Sequence, residues 1–164
     1  MRGKIRLEER RWDSTVADYN MALTLAPKDP HPLVERARLW EQRELYAQAL
    51  SDYRSALKLN PEHIEALAGI AMLQTACPDK RFRNNKQALE FVAKAEELSQ
   101  GNDYRVLEAH AAVLAEAGDF EQAVGKQTEA LDRMPKEARA AAQLRLQLYQ
   151  DGFPYRMLPK NKTP

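Results

Sequence analysis

The chain repeats itself. Residues 15–27 align with residues 49–61, so that Tyr19 and Tyr53, Ala22 and Ala56, and Pro27 and Pro61 each lie 34 positions apart. Leu33 and Leu67 keep the same spacing, as do Ala37 and Ala71. A third copy runs over residues 88–95, but Ala56 to Ala95 is 39 positions, so five residues are inserted before it. A fourth copy is clearest at its turn, Gly118-Asp119-Phe120-Glu121-Gln122-Ala123, followed by Ala130-Leu131 and Pro135. Self-similarity at such a period constrains the fold strongly. Each copy is one small supersecondary unit that cannot bury its apolar face alone, so neighbouring copies must stack.

The unit reads as two antiparallel amphipathic helices. Ala, Leu, Glu, Gln, Lys and Arg dominate the composition, all good helix formers. The apolar positions recur at i, i+3 and i+4, the spacing of one helix face. Ala37, Ala71 and Ala111 on the first helix let it approach its partner closely. Ala22, Ala56, Ala95 and Ala130 do the same on the second. Tyr19, Tyr53, Leu33, Leu67 and Leu107 are the larger residues that would fill the space between units. Pro27, Pro61 and Pro135 sit at unit boundaries, and Pro30 would open the next helix with Asp29 as its cap. The third repeat closes on Gln100-Gly101-Asn102 instead, a suitable C-cap and turn.

With a small residue, an aromatic, alanines and a closing proline recurring in this order, the chain resembles the tetratricopeptide repeat family over about residues 1–136. About 34 residues is that family's period. The resemblance implies an all-α, right-handed superhelix of about four helix-turn-helix repeats. They fall at about 1–29, 30–63, 64–103 and 104–136, with helix pairs near 1–25, 30–59, 63–99 and 103–133. A ninth helix at 136–150 would cap the stack with Ala141, Leu144 and Leu148 turned inward, and residues 152–164 form a tail. The segment Ala76-Cys77-Pro78-Asp79, the turn Ala117-Gly118-Asp119-Phe120 and the tail Pro154-Tyr155-Arg156 resemble bacterial modules of the planctomycete type. The short first repeat favours a piece cut from a longer solenoid, the alternative being an N-terminal end covered by something else.

Composition narrows the functional classes. Formal charge is +1, so no bulk field points to nucleic acid or a membrane. The basic run Arg2, Lys4, Arg6, Arg10 and Arg11 is interrupted by Glu8 and Glu9 and reads as a solvated helix face. No apolar stretch approaches the roughly 20 residues of a membrane span, and the start lacks a signal peptide, so the cytoplasm is the default. Cys77 is the only cysteine, which excludes an internal disulfide framework and a multi-thiolate metal site. His31, His63 and His110 are far apart in sequence, and no phosphate loop, His-Glu-x-x-His motif or nucleophile elbow is present. No catalytic residue, metal ligand or cofactor is expected, and the chain is read as a non-enzyme.

What remains is binding. In the family, the first helices of the repeats line a concave groove that grips a peptide or helix of a partner protein, as in scaffolds and adaptors. Carried onto this chain, the groove candidates are His31, Val34, Glu35, Arg38, Glu41, Gln42, Glu65, Met72, Arg105, Glu108, Ala112 and Glu116. The lysine-asparagine-arginine clamp for chaperone carboxyl termini is not reproduced, since its places hold Val34, Arg38, Gly69 and Glu108 among others. The mixed signs suggest a mixed polar ligand. The insertion, a loop near residues 77–86 within the third repeat, offers secondary contact candidates, Lys80, Arg81, Phe82 and Arg83. They make either a basic site for an acidic partner or a solvated loop whose Phe82 tucks back. The groove could instead hold the chain's own tail through Phe153, Tyr155, Met157 and Leu158, or these residues could dock a second copy. The alternative function is thus a self-associating structural segment of a larger protein, a homo-oligomer.

Overall fold

A computed structural model describes residues 2–157, with side chains described from residue 11. Among these residues the fold is all-helical. Eight α-helices follow one another: α1 (Arg2–Leu25), α2 (His31–Gln42), α3 (Tyr46–Leu59), α4 (Ile64–Ala76), α5 (Asn85–Ser99), α6 (Tyr104–Glu116), α7 (Phe120–Arg133) and α8 (Arg139–Gln150). Short 3-10 turns cover Lys80–Phe82 and Lys136–Ala138. Helices pair as α2 with α3, α4 with α5 and α6 with α7, and each pair stacks on the next. The result is a helical solenoid. Among the described residues no helix is long and apolar enough to cross a membrane.

The repeat phasing explains the packing. Ala37, Ala71 and Ala111 on the first helices and Ala56, Ala95 and Ala130 on the second are all shut off from solvent. Tyr53, Leu67 and Leu107 fill the spaces that these alanines leave. The closest approach is at Gly69, where an added Cβ would stand 2.5 Å from Tyr53 Cζ. The end of the Tyr53 ring therefore reaches α4 only because residue 69 has no side chain.

The helix ends are built from side chains. Asp29 accepts the orphan N–H of His31 at 3.0 Å, Asp103 that of Arg105 at 2.9 Å and Asp119 that of Gln122 at 3.1 Å. At the end of α5, Gln100 (φ 52°) and Gly101 (φ 68°) both take the left-handed conformation. The Gly101 N–H returns to the Glu96 carbonyl at 3.1 Å. This is the Schellman closure that the Gln-Gly-Asn triplet suggested.

Three expectations are corrected. Residues 2–25 form one 24-residue helix and not a helix pair, because after Gly3 this stretch contains no glycine or proline to turn it. With no preceding pair over it, Ala22 is only half-buried. The last helix, α8, packs in a different phase: Ala142 and Tyr149 are buried, whereas Leu144 is 71% exposed and Leu148 lies outward too. The inner stripe is Ala142, Arg145 and Tyr149, spaced i, i+3 and i+7, and a paired arginine takes the place that the leucines were expected to fill. Of the basic N-terminal run only Arg11 has a described side chain, and it is exposed. Leu158 lies outside the described residues.

The insertion is short and ordered. The α4–α5 connection spans 77–84, eight residues, against three for 43–45 between α2 and α3, which accounts for the five extra positions. Asp79 caps the 3-10 turn through the Arg81 N–H at 3.0 Å. Phe82 packs back against the α2–α4 core, with its ring 6.1 Å from that of Tyr46.

Candidate functional site

The first helices of the pairs, α2, α4 and α6, together with α8, carry the residues expected at the groove. Seven of those residues meet around one open cavity of about 480 Å³: Arg38, Glu41 and Gln42 from α2, Glu65 and Met72 from α4, and Arg105 and Glu108 from α6. Each recurs on its own helix at intervals that keep one face. Tyr46, Tyr53 and Gly69 form part of the lining, and Arg145, Tyr155 and Met157 complete it.

The polar groups of this face are linked from helix to helix. Arg38 pairs with Glu35 at 2.6 Å and reaches Glu65 at 3.8 Å. Glu65 also pairs with Arg105, which in turn holds Asp103 at 3.0 Å. Glu108, buried, pairs with Arg145 of α8, and Gln127 from α7 supports this region by donating to the Ala142 carbonyl at 3.2 Å. Every arginine of the cavity thus has a carboxylate partner. Glu41 differs. Its Oε1 is buried with no hydrogen-bond partner. Burial lifts its pKa to about 7 against the opposing effects of the Tyr53 hydroxyl bond and the nearby Arg38. Tyr53 is held neutral for the same reason, burial first and Glu41 second.

The other expected groove residues lie elsewhere. Val34 and Ala112 are buried in the core and cannot meet a ligand. Both keep the phase of the cavity residues, four positions from Arg38 and from Glu108, but lie along the helix where packing shuts them off from solvent. Glu35 is a partner of Arg38 at the rim. Glu116 sits at the far end of α6 between Arg83 at 3.9 Å and Arg156 at 2.5 Å. Lys80 and Arg81 are exposed, with Arg81 paired to Asp79. Arg83 reaches Glu116 and Phe82 is half-buried, so the insertion presents no continuous basic patch.

His31 is exposed at the start of α2 and stacks edge-on against His63, ring centres 4.7 Å apart. With Glu65, the two histidines put ligand atoms within 4.8 Å of one another. These are the donor types that could hold a divalent transition metal. All three already have roles in the fold, however. His63 Nδ1 accepts the Ala66 N–H at 3.4 Å as the cap of α4. Its Nε2 then carries the proton and meets His31 Nδ1 at 3.3 Å. Glu65 is shared by two arginines. Burial and the adjacent His31 hold the His63 imidazole below its usual range. Cys77 is buried, and its thiol is pushed up by that burial, away from reactive thiolate character.

Sequence reasoning missed Arg145, whereas Tyr155 and Met157 are tail residues that it offered as a filling of the groove, and both line the cavity. Arg145 stood in a leucine-rich helix, where its place on the inner stripe was the available signal. The tail residues could be named as apolar, but nothing local says where a tail goes.

No curated protein matches the chain. The model of the family described as tetratricopeptide repeat matches residues 3–74, which spans α1 to α4. Beyond that segment, α5 pairs with α4 and α6 with α7, with the same small-residue positions and the same stacking. Residues 3–74 therefore match the tetratricopeptide repeat family, and the remaining helix pairs continue the same stack.

Proposed function

We propose that this is a non-catalytic interaction module whose concave face binds a peptide or helix of a partner protein. Tetratricopeptide repeats generally mediate protein–protein interaction. The observation that carries the reading is the single cavity lined from three successive first helices by alternating charges around Met72 and Tyr53. Paired charges of both signs favour specificity by charge matching over affinity from apolar burial. The test is affinity capture from a lysate of the source organism, comparing the parent with an Arg38→Glu, Arg105→Glu double variant checked by circular dichroism. The expected result is a protein held by the parent and lost by the folded variant. A partner held equally by both moves binding off this face.

A second reading, self-association, has its own support. Met21 and Leu25 at one end of the stack are 64% and 80% exposed, and Leu144 and Phe153 at the other are 71% and 61% exposed. Light scattering on the purified chain decides between the readings. A monomer at micromolar concentration leaves the first alone, and a dimer without captured protein favours the second.

A further inference from the structure

Residues 153–157 leave α8 through a turn at Gly152, which has φ 75°, and run without helical structure back over the ends of α6 and α4. Three consecutive side chains each find a different kind of contact. The Tyr155 ring lies under the Arg145 guanidinium, 5.2 Å from it, against the cluster that contains Ala111 and Tyr149. Arg156 pairs with Glu116 at 2.5 Å, a cation set at the carboxyl end of α6, where the helix dipole also favours it. Met157 packs against the core cluster that contains Leu73 and Cys77, and its N–H donates at 2.9 Å to the Ala76 carbonyl. That carbonyl is one of those the end of α4 leaves without an intrahelical partner. A non-helical segment held by one backbone bond and three consecutive side-chain contacts is held as a bound peptide is.

We propose that the ends of α4, α6 and α8 form a receptor for extended segments of aromatic–basic–apolar sequence, occupied in cis by Tyr155–Met157, and that a partner segment of this pattern binds by displacing them. The inference rests on the reading of the concave face as a partner site and names the partner's chemistry. Removing the tail leaves the packing of α8 in place, because Ala142 and Tyr149 hold that helix from within it. Tethering sets the tail at an effective concentration on the order of millimolar. A free peptide at micromolar concentration therefore competes poorly with it. A partner prevails when it adds contacts to the cavity alongside, which Tyr155 and Met157 wall on one side.

The test uses a synthetic peptide of residues 151–158, with a scrambled version as control, titrated by fluorescence anisotropy. The receptors are the full chain, a chain ending at Asp151, and full-length Arg156→Glu. The peptide is expected to bind the shortened chain and the Arg156→Glu chain at least about tenfold more tightly than the parent, as the tethering argument requires. The scrambled peptide should bind none of them. If the shortened chain does not fold, the Arg156→Glu chain decides alone. Equal binding to all three receptors, equal binding of the scrambled peptide, or no binding to a folded released receptor overturns the proposal. A full-length dimer that becomes monomeric on shortening would assign the tail to a second copy and overturn occupancy in cis. A captured partner that the tail peptide cannot displace would leave the concave-face reading standing and remove this one.

Discussion

Glu41 shows how one side chain can set a pH dependence for the whole stack. Its folded pKa of about 7 lies above the ordinary carboxylate value of 4.5, so the folded state favours the protonated form. The stability tied to this group is present in full below about pH 4.5 and is lost as pH rises to 7. A shift of this size corresponds to roughly 3 kcal/mol. Glu41→Gln keeps the shape and an acceptor for Tyr53 but cannot ionise. At pH 8 it should melt at least about 5 °C above the parent, and at pH 4.5 the two should melt together. A gain of equal size at both pH values would mean that ionisation is not the cause. The same residue was legible in the sequence as a groove position, but its burial was not. That depends on the neighbouring helix α3, whose Tyr53 hydroxyl bonds to it.

At the scale of elements, the contact between α3 and α4 turns on a missing side chain. An alanine at Gly69 would place its Cβ 2.5 to 2.8 Å from three atoms of the Tyr53 ring end. That ring end is buried, so it cannot simply swing into solvent. Gly69→Ala should therefore cost about 1–3 kcal/mol, although alanine is the better helix former. Urea unfolding followed by circular dichroism reads the change, and a midpoint at or above the parent's would show that the ring relaxes freely. Asp29 could be placed as a helix cap from sequence, because a cap is a local device, and Asp103 and Asp119 cap their helices in the same way. The phase of α8 could not, because a leucine stripe and an Ala-Arg-Tyr stripe are both periodic and only a carboxylate from α6 makes the second one fit.

The molecule as a whole is held by interfaces between neighbours. In a stack, stability is close to a sum of unit and nearest-neighbour contributions. Ala56 lies fully buried in the cluster that joins α2, α3 and α4. Ala56→Arg would put a long cation with no partner into that junction, at a cost of several kcal/mol, on the order of 3–5. It should abolish the cooperative thermal transition of the first repeats. A melt indistinguishable from the parent's would overturn the repeat phasing itself.

The repeat unit, its small-residue positions, the helix caps and the extra length of the 77–84 connection were all determined by the sequence. They follow from periodicity and local hydrogen bonding, which act over a few residues at a time. Seven of the twelve expected groove positions line one cavity, because helix phase carries from one repeat to the next. The single helix at residues 2–25, the burial of Val34 and Ala112, the Glu108–Arg145 pair and the path of residues 153–157 were decided by tertiary structure. Each depends on which surface a distant segment covers. That choice is settled by the summed burial and charge pairing of the assembled stack, and no local pattern records it.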